Sequence, residues 1–174
     1  DLPFLDYAET CRWYRMVVPA LGKEGRALLG CNDRFFLTTA LLRRTDALHP
    51  WLFMRCREIE ADPDNHLDLW ARYHYKSTFG TFAGLIQEVL VDPEIKIAIL
   101  SHTKPLATAF LSQIKEEFEV NEELVKIYDD VLYVEPKKDA AKWGLMRGIT
   151  VKRKGNPKEA TIEAHGLVDG QPTS

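Results

Sequence analysis

The chain has 174 residues, enough for one domain with a sizeable hydrophobic core but few for two. Its net charge of −3 excludes a global basic field, so any contact with nucleic acid must come from a local patch or from another part of the protein. The three cysteines have no CxxC spacing, which argues against a zinc site or a disulfide framework and favours a reducing compartment. No run of about 18 apolar residues is present, so no membrane-spanning segment is predicted.

Residues 1–61 predict a helical N-terminal segment. Asn32 or Asp33 can cap a helix whose apolar face begins with Phe35 and Phe36. A second helix is predicted from about Pro50. The large apolar side chains Trp51, Phe110 and Phe118 are predicted to be core residues.

Residues 62–174 show a different pattern, in which strands and helices alternate. The predicted elements are a strand at 66–70, a loop at 71–78, a helix at 79–91, a strand at 95–100, a helix from Pro105 with Leu106, Phe110, Ile114 and Phe118 on one side, and two strands at 149–153 and 161–165. Alternating strands and helices favour a parallel sheet. The predicted fold class is therefore α/β. We expect a P-loop NTPase fold of the RecA/ASCE-like type, with a mostly parallel sheet flanked by helices. This fold is expected to be incomplete and to follow the helical N-terminal segment.

The sequence Lys76-Ser77-Thr78 lies at the predicted junction between the first strand and its helix. In a P-loop, backbone N–H groups and a helix N-terminus bind phosphate, a lysine reaches the terminal phosphates, and the next hydroxyl ligates Mg²⁺. On this interpretation Lys76 neutralises the β- and γ-phosphates, Ser77 holds the metal, and Thr78 starts the helix or makes a second phosphate contact.

The match to the motif G-x-x-x-x-G-K-[ST] is incomplete, because Trp70 and Tyr75 stand at the two glycine positions. Glycine adopts positive φ without steric cost, and tyrosine does not. A surface Lys-Ser-Thr at the start of a helix is the alternative that the motif alone leaves open.

Several segments in order resemble one family. The sequence from Leu69 to Thr78, LWARYHYKST, is similar to the deviant Walker A motif of phage terminase large subunits, which often begins with arginine and ends in Lys-Ser-Thr. Further similar segments are DALHPW at 46–51, ILSHT at 99–103, NPKEAT at 156–161 and GLVDGQP at 166–172. The resemblance covers roughly residues 32–174.

The resemblance implies a motor ATPase that binds ATP and Mg²⁺ and drives DNA into a preformed capsid. Arg72 then matches the arginine that begins the family's phosphate loop, so Arg72 and Lys76 are the implied catalytic residues, and Ser77 is the implied metal ligand. The implied nucleotide contacts are Arg72, Tyr73, His74, Tyr75, Lys76, Ser77 and Thr78. The implied partners are double-stranded DNA, the portal, the small terminase subunit and further copies of the full-length chain, in the cytoplasm of the host cell.

Hydrolysis by a P-loop ATPase also needs an acidic residue at the end of a further strand. In the family this strand would follow Gly170-Gln171-Pro172, and Asp129-Asp130 is interpreted as a solvated pair at a helix end. We therefore expect residues 62–174 to be the front part of the ATPase domain and this chain alone to hydrolyse ATP poorly.

Other polar groups have two interpretations each. His74 can contact phosphate or brace the loop, and Ser101, His102 and Thr103 can sense a γ-phosphate or cap a strand end. The basic residues Lys152, Arg153, Lys154 and Lys158 can face DNA or form a solvated turn, and the turn is favoured. Two alternatives to a terminase are a helicase-like P-loop ATPase and a non-catalytic α/β assembly module.

Overall fold

The computed structural model describes residues 6–61, 69–155 and 158–168. The chain divides into two compact units, Asp1–Gln87 and Glu88–Ser174. The division that the sequence suggests, between residues 61 and 62, lies inside the first unit. Each unit is described by itself.

The described residues of the first unit form helices only. They are α1 (Tyr7–Val17), α2 (Lys23–Asn32), α3 (Arg34–Phe36), α4 (Pro50–Ala61) and the start of α5 (Gly84–Val91), with π-helical turns at Leu37–Leu41 and Ser77–Ala83 and 3-10 turns at Val18–Ala20 and Thr45–Ala47. The helices predicted after Asp33 and from Pro50 are confirmed. Of the strand predicted at 66–70, residues 66–68 lie outside the described residues, and Leu69 and Trp70 are not in a strand.

The carboxylate of Asp33 joins three of these helices. It caps α3 by accepting a hydrogen bond from the backbone N–H of Phe36 at 2.9 Å, which confirms the predicted cap. It also accepts from the Tyr14 hydroxyl of α1 and, at 2.8 Å, from the Arg57 guanidinium of α4. Asp33 is fully buried. A buried carboxylate is stable only when its charge is paired and hydrogen-bonded, and these three donors meet that requirement.

A second carboxylate extends the cluster. Glu60 accepts from the other guanidinium nitrogen of Arg57 at 2.7 Å and from the backbone N–H of Arg34 at 2.5 Å. Burial raises the pKa of Glu60, and burial together with the charge of Asp33 raises the pKa of Tyr14. Tyr14 therefore keeps its proton at neutral pH and donates it to Asp33.

The apolar core of the first unit is built around Phe35, the residue that follows this cluster. Its ring stacks on that of Phe79 with centroids 6.2 Å apart and meets the ring of Phe53 edge-on at 5.3 Å. Both Phe35 and Phe79 are fully buried. Because Phe79 lies in the π-helical turn after Lys76, this core fixes the position of the helix that the phosphate motif begins.

We predict that Asp33→Ala lowers the free energy of unfolding by about 2–4 kcal/mol, because it removes the cap of α3 and leaves the Tyr14 hydroxyl without its buried acceptor, while Arg57 keeps Glu60. Urea unfolding followed by circular dichroism measures the change. Asp130→Ala removes an exposed carboxylate and is the control, with an expected change within about 0.5 kcal/mol. Equal losses in the two variants would contradict the role of Asp33.

The second unit contains a four-stranded mixed sheet. Its elements are β1 (Ile97–Ser101), α6 (Lys104–Val120), α7 (Glu122–Ile127), α8 (Pro136–Asp139), β2 (Trp143–Gly144), β3 (Gly148–Ile149) and β4 (Ile162–Gly166). The strand order is β1-β4-β3-β2. β1 and β4 are parallel, with Ile97 opposite Ile162 and Ser101 opposite Gly166. The other two pairings are antiparallel.

The strand near 95–100, the helix near Pro105 and the strand near 161–165 are confirmed. The strand predicted at 149–153 is wrong beyond Ile149, because Thr150 and Lys152 donate their N–H groups to the carbonyls of Lys142 and Val131, which lie outside the strands. The prediction of a mostly parallel sheet holds only for β1 and β4. β2 and β3 are joined by three residues, and a connection of that length can join antiparallel strands only. The sequence analysis missed β2, because two residues carry no periodic signal.

Helix α6 packs on β1 and β4. Its buried residues are Ala107, Leu111, Ile114 and Phe118, whereas the predicted face contained Leu106, which is 54% exposed, and Phe110, which is half-buried. The stripe is therefore shifted by one position in the first two turns, so the small Ala107 contacts the sheet closely. In the described part of the chain no helix is long and apolar enough to cross a membrane.

Gly148 in β3 is a position that requires glycine. Its φ is +77°, and a Cβ atom there would lie 2.5 Å from the carbonyl oxygen of Ile162 and 2.7 Å from the Cβ of Ala160. Both neighbours belong to the segment that pairs with β3, so neither can move without loss of the sheet.

We predict that Gly148→Ala lowers the free energy of unfolding by more than about 2 kcal/mol, through backbone strain and overpacking. Gly144→Ala is the matched control, because a Cβ at Gly144 meets no atom within 4 Å. Urea unfolding of both variants measures the difference. A Gly148→Ala variant as stable as Gly144→Ala would rule out the proposed constraint.

Candidate functional site

The residues predicted to bind phosphate form one exposed loop and the start of a helix. Ala71–Tyr75 are non-helical, and helical backbone begins at Lys76, three residues earlier than predicted. Ser77 and Thr78 therefore lie in the first turn of the helix. The side chains of Arg72, Lys76 and Ser77 are exposed, and that of Tyr73 is 96% exposed.

The loop contains two residues with left-handed backbone. Three non-glycine residues in the described chain have positive φ, and two of them are Tyr73 at 64° and Tyr75 at 60°. Each costs about 1–2 kcal/mol relative to a right-handed conformation. Tyr75 stands where the P-loop motif has its second glycine, so the backbone adopts there the sign of φ that the motif reserves for glycine. Lys76 follows with right-handed backbone, φ −51°. Where a residue with left-handed backbone and one with right-handed backbone follow each other, successive N–H groups can point to the same side and bind an anion.

The loop borders a concavity. Residues 70–78 line a space of about 600 Å³, which brings together all seven predicted contact residues from Arg72 to Thr78. We call it the loop concavity. The loop is also packed against the core, because Trp70 and Tyr75 are partly buried against the cluster around Phe35 and Phe79.

A second space of about 890 Å³ adjoins the loop concavity and shares residues of the loop with it. We call it the aromatic concavity. Trp51 and Trp70 meet edge-on in its wall with ring centroids 5.1 Å apart, and the Arg55 guanidinium lies 5.6 Å from the Trp70 ring centre. Its volume is in the range of small-molecule sites.

Trp51 was predicted to be a core residue, and this prediction is wrong. Its side chain is 38% exposed and lines the aromatic concavity. The helical spacing of Trp51, Leu52, Cys56 and Ile59 indicates a helix but does not show whether Trp51 or Leu52 faces the core, and the buried residue is Leu52. The sequence analysis likewise assigned no role to Asp46 or Arg55. The available signal was their position on either side of Trp51.

His74 has the bracing contact that was one of its two interpretations. Its Nδ1 lies 2.8 Å from the carbonyl oxygen of Arg72, and a carbonyl only accepts, so Nδ1–H is the donor. The imidazole ring also lies edge-on to Trp51 with centroids 5.9 Å apart. The hydrogen bond spans Tyr73 and closes the turn that contains its positive φ.

Tyr75 is held by a longer-range contact. Its hydroxyl donates to Asp46 Oδ2 at 2.6 Å, across 29 residues of sequence. This hydrogen bond raises the pKa of Tyr75.

Positive charge is concentrated in the loop concavity, although the whole chain carries −3. The described residues that line it include Arg72 and Lys76 and no carboxylate. The described lining of the aromatic concavity includes Asp46 and Arg55, and Arg55 is ion-paired with Glu58. Local positive charge attracts anions. Within the described ranges, no group of three or more His, Cys, Asp or Glu side chains is placed to hold a metal ion.

The remaining candidates lie in the second unit. Ser101 ends β1, and its carbonyl accepts from the backbone N–H of Leu167. Thr103 is the N-cap residue of α6 but makes no capping hydrogen bond with its side chain. The basic segment is partly tied down, because Lys152 donates to the carbonyl of Asp129 and Arg153 to that of Glu159. Asp129 and Asp130 are exposed in a turn after α7.

In comparisons with known proteins, no family model, no curated protein and no solved structure matches this chain.

Proposed function

We propose that this chain binds ATP, with the phosphates in the loop concavity and the base in the aromatic concavity. The observation that carries the proposal is the left-handed backbone at Tyr73 and Tyr75, the second directly before Lys76, in a concavity lined by Arg72 and Lys76. Backbone N–H groups, a helix start and a lysine are the three elements that bind polyphosphate in P-loops.

Each residue has a role in this proposal. The Lys76 ammonium neutralises the β- and γ-phosphates, and the Arg72 guanidinium, exposed at the edge of the same concavity, donates to phosphate oxygens. Thr78 makes a further contact from the first helical turn. His74 holds the turn around Tyr73 through its hydrogen bond to Arg72.

The aromatic concavity suits a purine. Trp51 is 38% exposed and offers flat apolar surface to a planar base, and the Arg55 guanidinium in the same wall can stack on it as well. A site that bound phosphate alone would need the loop concavity but not the aromatic concavity.

Magnesium would be held by Ser77 and phosphate oxygens. Mg²⁺ at nucleotide sites keeps several waters and needs few protein ligands, and an exposed hydroxyl in the first helical turn fits that donor set. When bound, the ion neutralises phosphate charge. Hydrolysis also requires carboxylates, and the residues proposed above to bind the nucleotide do not include them. We therefore propose that this chain supplies nucleotide binding to a larger ATPase.

The larger ATPase that we propose is the motor of a phage terminase large subunit, with a P-loop NTPase fold. The support is the ordered set of terminase-like segments from Asp46 to Pro172, together with a glycine-poor loop that begins with Arg72 and leads into Lys76-Ser77-Thr78. On this proposal the full protein acts on double-stranded DNA with the portal, the small terminase subunit and further copies of itself, in the host cytoplasm.

We predict that Lys76→Ala weakens binding of Mg-ATP by at least about tenfold, because the cation that pairs with the terminal phosphates is lost. Isothermal titration calorimetry measures the affinity. Lys126→Ala, which removes a lysine 77% exposed in α7, should leave the affinity unchanged. Equal affinities for Lys76→Ala and the unaltered chain would favour the non-catalytic assembly module.

We predict that the encoding reading frame continues beyond Ser174 into an apolar strand that ends in paired acidic residues, followed by a nuclease domain with clustered aspartates. Sequencing of the gene tests this. A second RecA-like domain in place of the nuclease would identify a helicase-like motor, and a continuation without the paired acids would refute the ATPase assignment.

A further inference from the structure

Loops that surround phosphate use glycine where φ is positive, and this loop uses tyrosine instead. We propose that the hydrogen bond from the Tyr75 hydroxyl to Asp46 replaces that glycine: it holds the loop in its phosphate-binding shape, so Tyr75 and Asp46 are positioning residues for the nucleotide. This inference rests on the proposed ATP site and adds to it the reason why the site can function without glycine.

The hydrogen bond connects a strained residue to a fixed point. Asp46 lies in the 3-10 turn Thr45–Ala47, which is closed by a hydrogen bond from the N–H of Ala47 to the carbonyl of Arg44 at 3.0 Å. Ala47 is fully buried in the cluster that contains Phe35 and Phe79. The Tyr75 ring packs against the same cluster, so the donor and the acceptor are both held by the core.

The position of Tyr75 in the chain makes this constraint matter. Tyr75 directly precedes Lys76, so its φ and ψ set the direction in which the first N–H groups of the helix point. The hydrogen bond of His74 to Arg72 spans only the turn around Tyr73 and leaves Tyr75 outside it. The contact with Asp46 is the long-range one, at 2.6 Å across 29 residues.

The contact also uses a carboxylate that would otherwise disfavour an anion. Asp46 is the carboxylate among the residues that line the two concavities. The Tyr75 hydroxyl occupies one of its oxygens. The proposed role of Asp46 is to accept the hydrogen bond from Tyr75. A neutral acceptor of the same shape should therefore hold the loop as well, without the negative charge.

Mg-ATP titrations of five variants test the proposal. Tyr75→Phe keeps the ring and loses the donor, and Asp46→Ala loses the acceptor, so each should weaken binding by about tenfold. Asp46→Asn keeps an acceptor oxygen and should bind within about threefold of the unaltered chain. Tyr75→Gly should also bind within about threefold, because glycine adopts positive φ without a brace. The double variant Asp46→Ala/Tyr75→Gly should then bind Mg-ATP with the same affinity as Tyr75→Gly alone.

Amide hydrogen exchange without nucleotide supplies a second readout at Phe79, whose N–H donates to the carbonyl oxygen of Tyr75 at 3.0 Å. Exchange should be faster in Tyr75→Phe and Asp46→Ala than in the unaltered chain, and unchanged in Asp46→Asn. Unchanged exchange in the first two variants overturns the proposal whatever the affinities are. Far-UV circular dichroism confirms that each variant is folded.

The titrations separate failure of this inference from failure of the ATP site. If Asp46→Ala weakens binding equally in the Tyr75→Gly chain, Asp46 acts on the nucleotide directly and the inference is wrong, while the ATP site stands. If the unaltered chain binds no Mg-ATP, or binds it as well after Lys76→Ala, the ATP site is wrong. The exchange measurement then still decides whether the hydrogen bond holds the loop.

Discussion

The buried carboxylate of Asp33 is the constraint on which the first unit depends. A fully buried charge is tolerated only with a complete set of donors, and Asp33 finds them on three helices: Tyr14 of α1, Phe36 N–H of α3 and Arg57 of α4. Those helices must therefore approach one another at one point. Phe35, the neighbour of this cluster, then forms the centre of the aromatic core. Loss of the carboxylate would remove both the polar junction and the alignment of the rings.

The candidate site takes its rigidity from this core. Phe79 stacks on Phe35, so the helix that starts at Lys76 is fixed only three residues after the lysine. On the other side of the lysine, Tyr75 packs on the same cluster and reaches Asp46. The left-handed backbone at Tyr73 and Tyr75 costs free energy locally. At Tyr75 the packing on the core offsets part of that cost, whereas the exposed Tyr73 lies in a turn closed by the hydrogen bond between His74 and Arg72. A loop without glycine is less free to change shape than a glycine-rich one.

Charge in this chain is distributed unevenly. The total of −3 gives no indication of an anion site, yet the described lining of the loop concavity contains Arg72 and Lys76 and no carboxylate. Attraction of an anion depends on the local field, because exposed charges beyond about 8 Å are screened at physiological ionic strength. Trp51 and Trp70 add apolar area beside these charges.

The sequence by itself determined the features that depend on neighbours along the chain. These are the cap at Asp33, the helices from Pro50 and near Pro105, the strands near 97 and 162, and the presence of Lys76, Ser77 and Thr78 at a helix start. Tertiary structure decided the rest. It placed Trp51 in the wall of a concavity and Leu52 in the core, shifted the buried stripe of α6 by one position, and paired β2 and β3 in an antiparallel manner. It also brought Asp46 to the hydroxyl of Tyr75, a residue with positive φ, across 29 residues. Periodicity and capping are local signals, whereas the hand of a loop backbone depends on contacts that only the folded chain supplies.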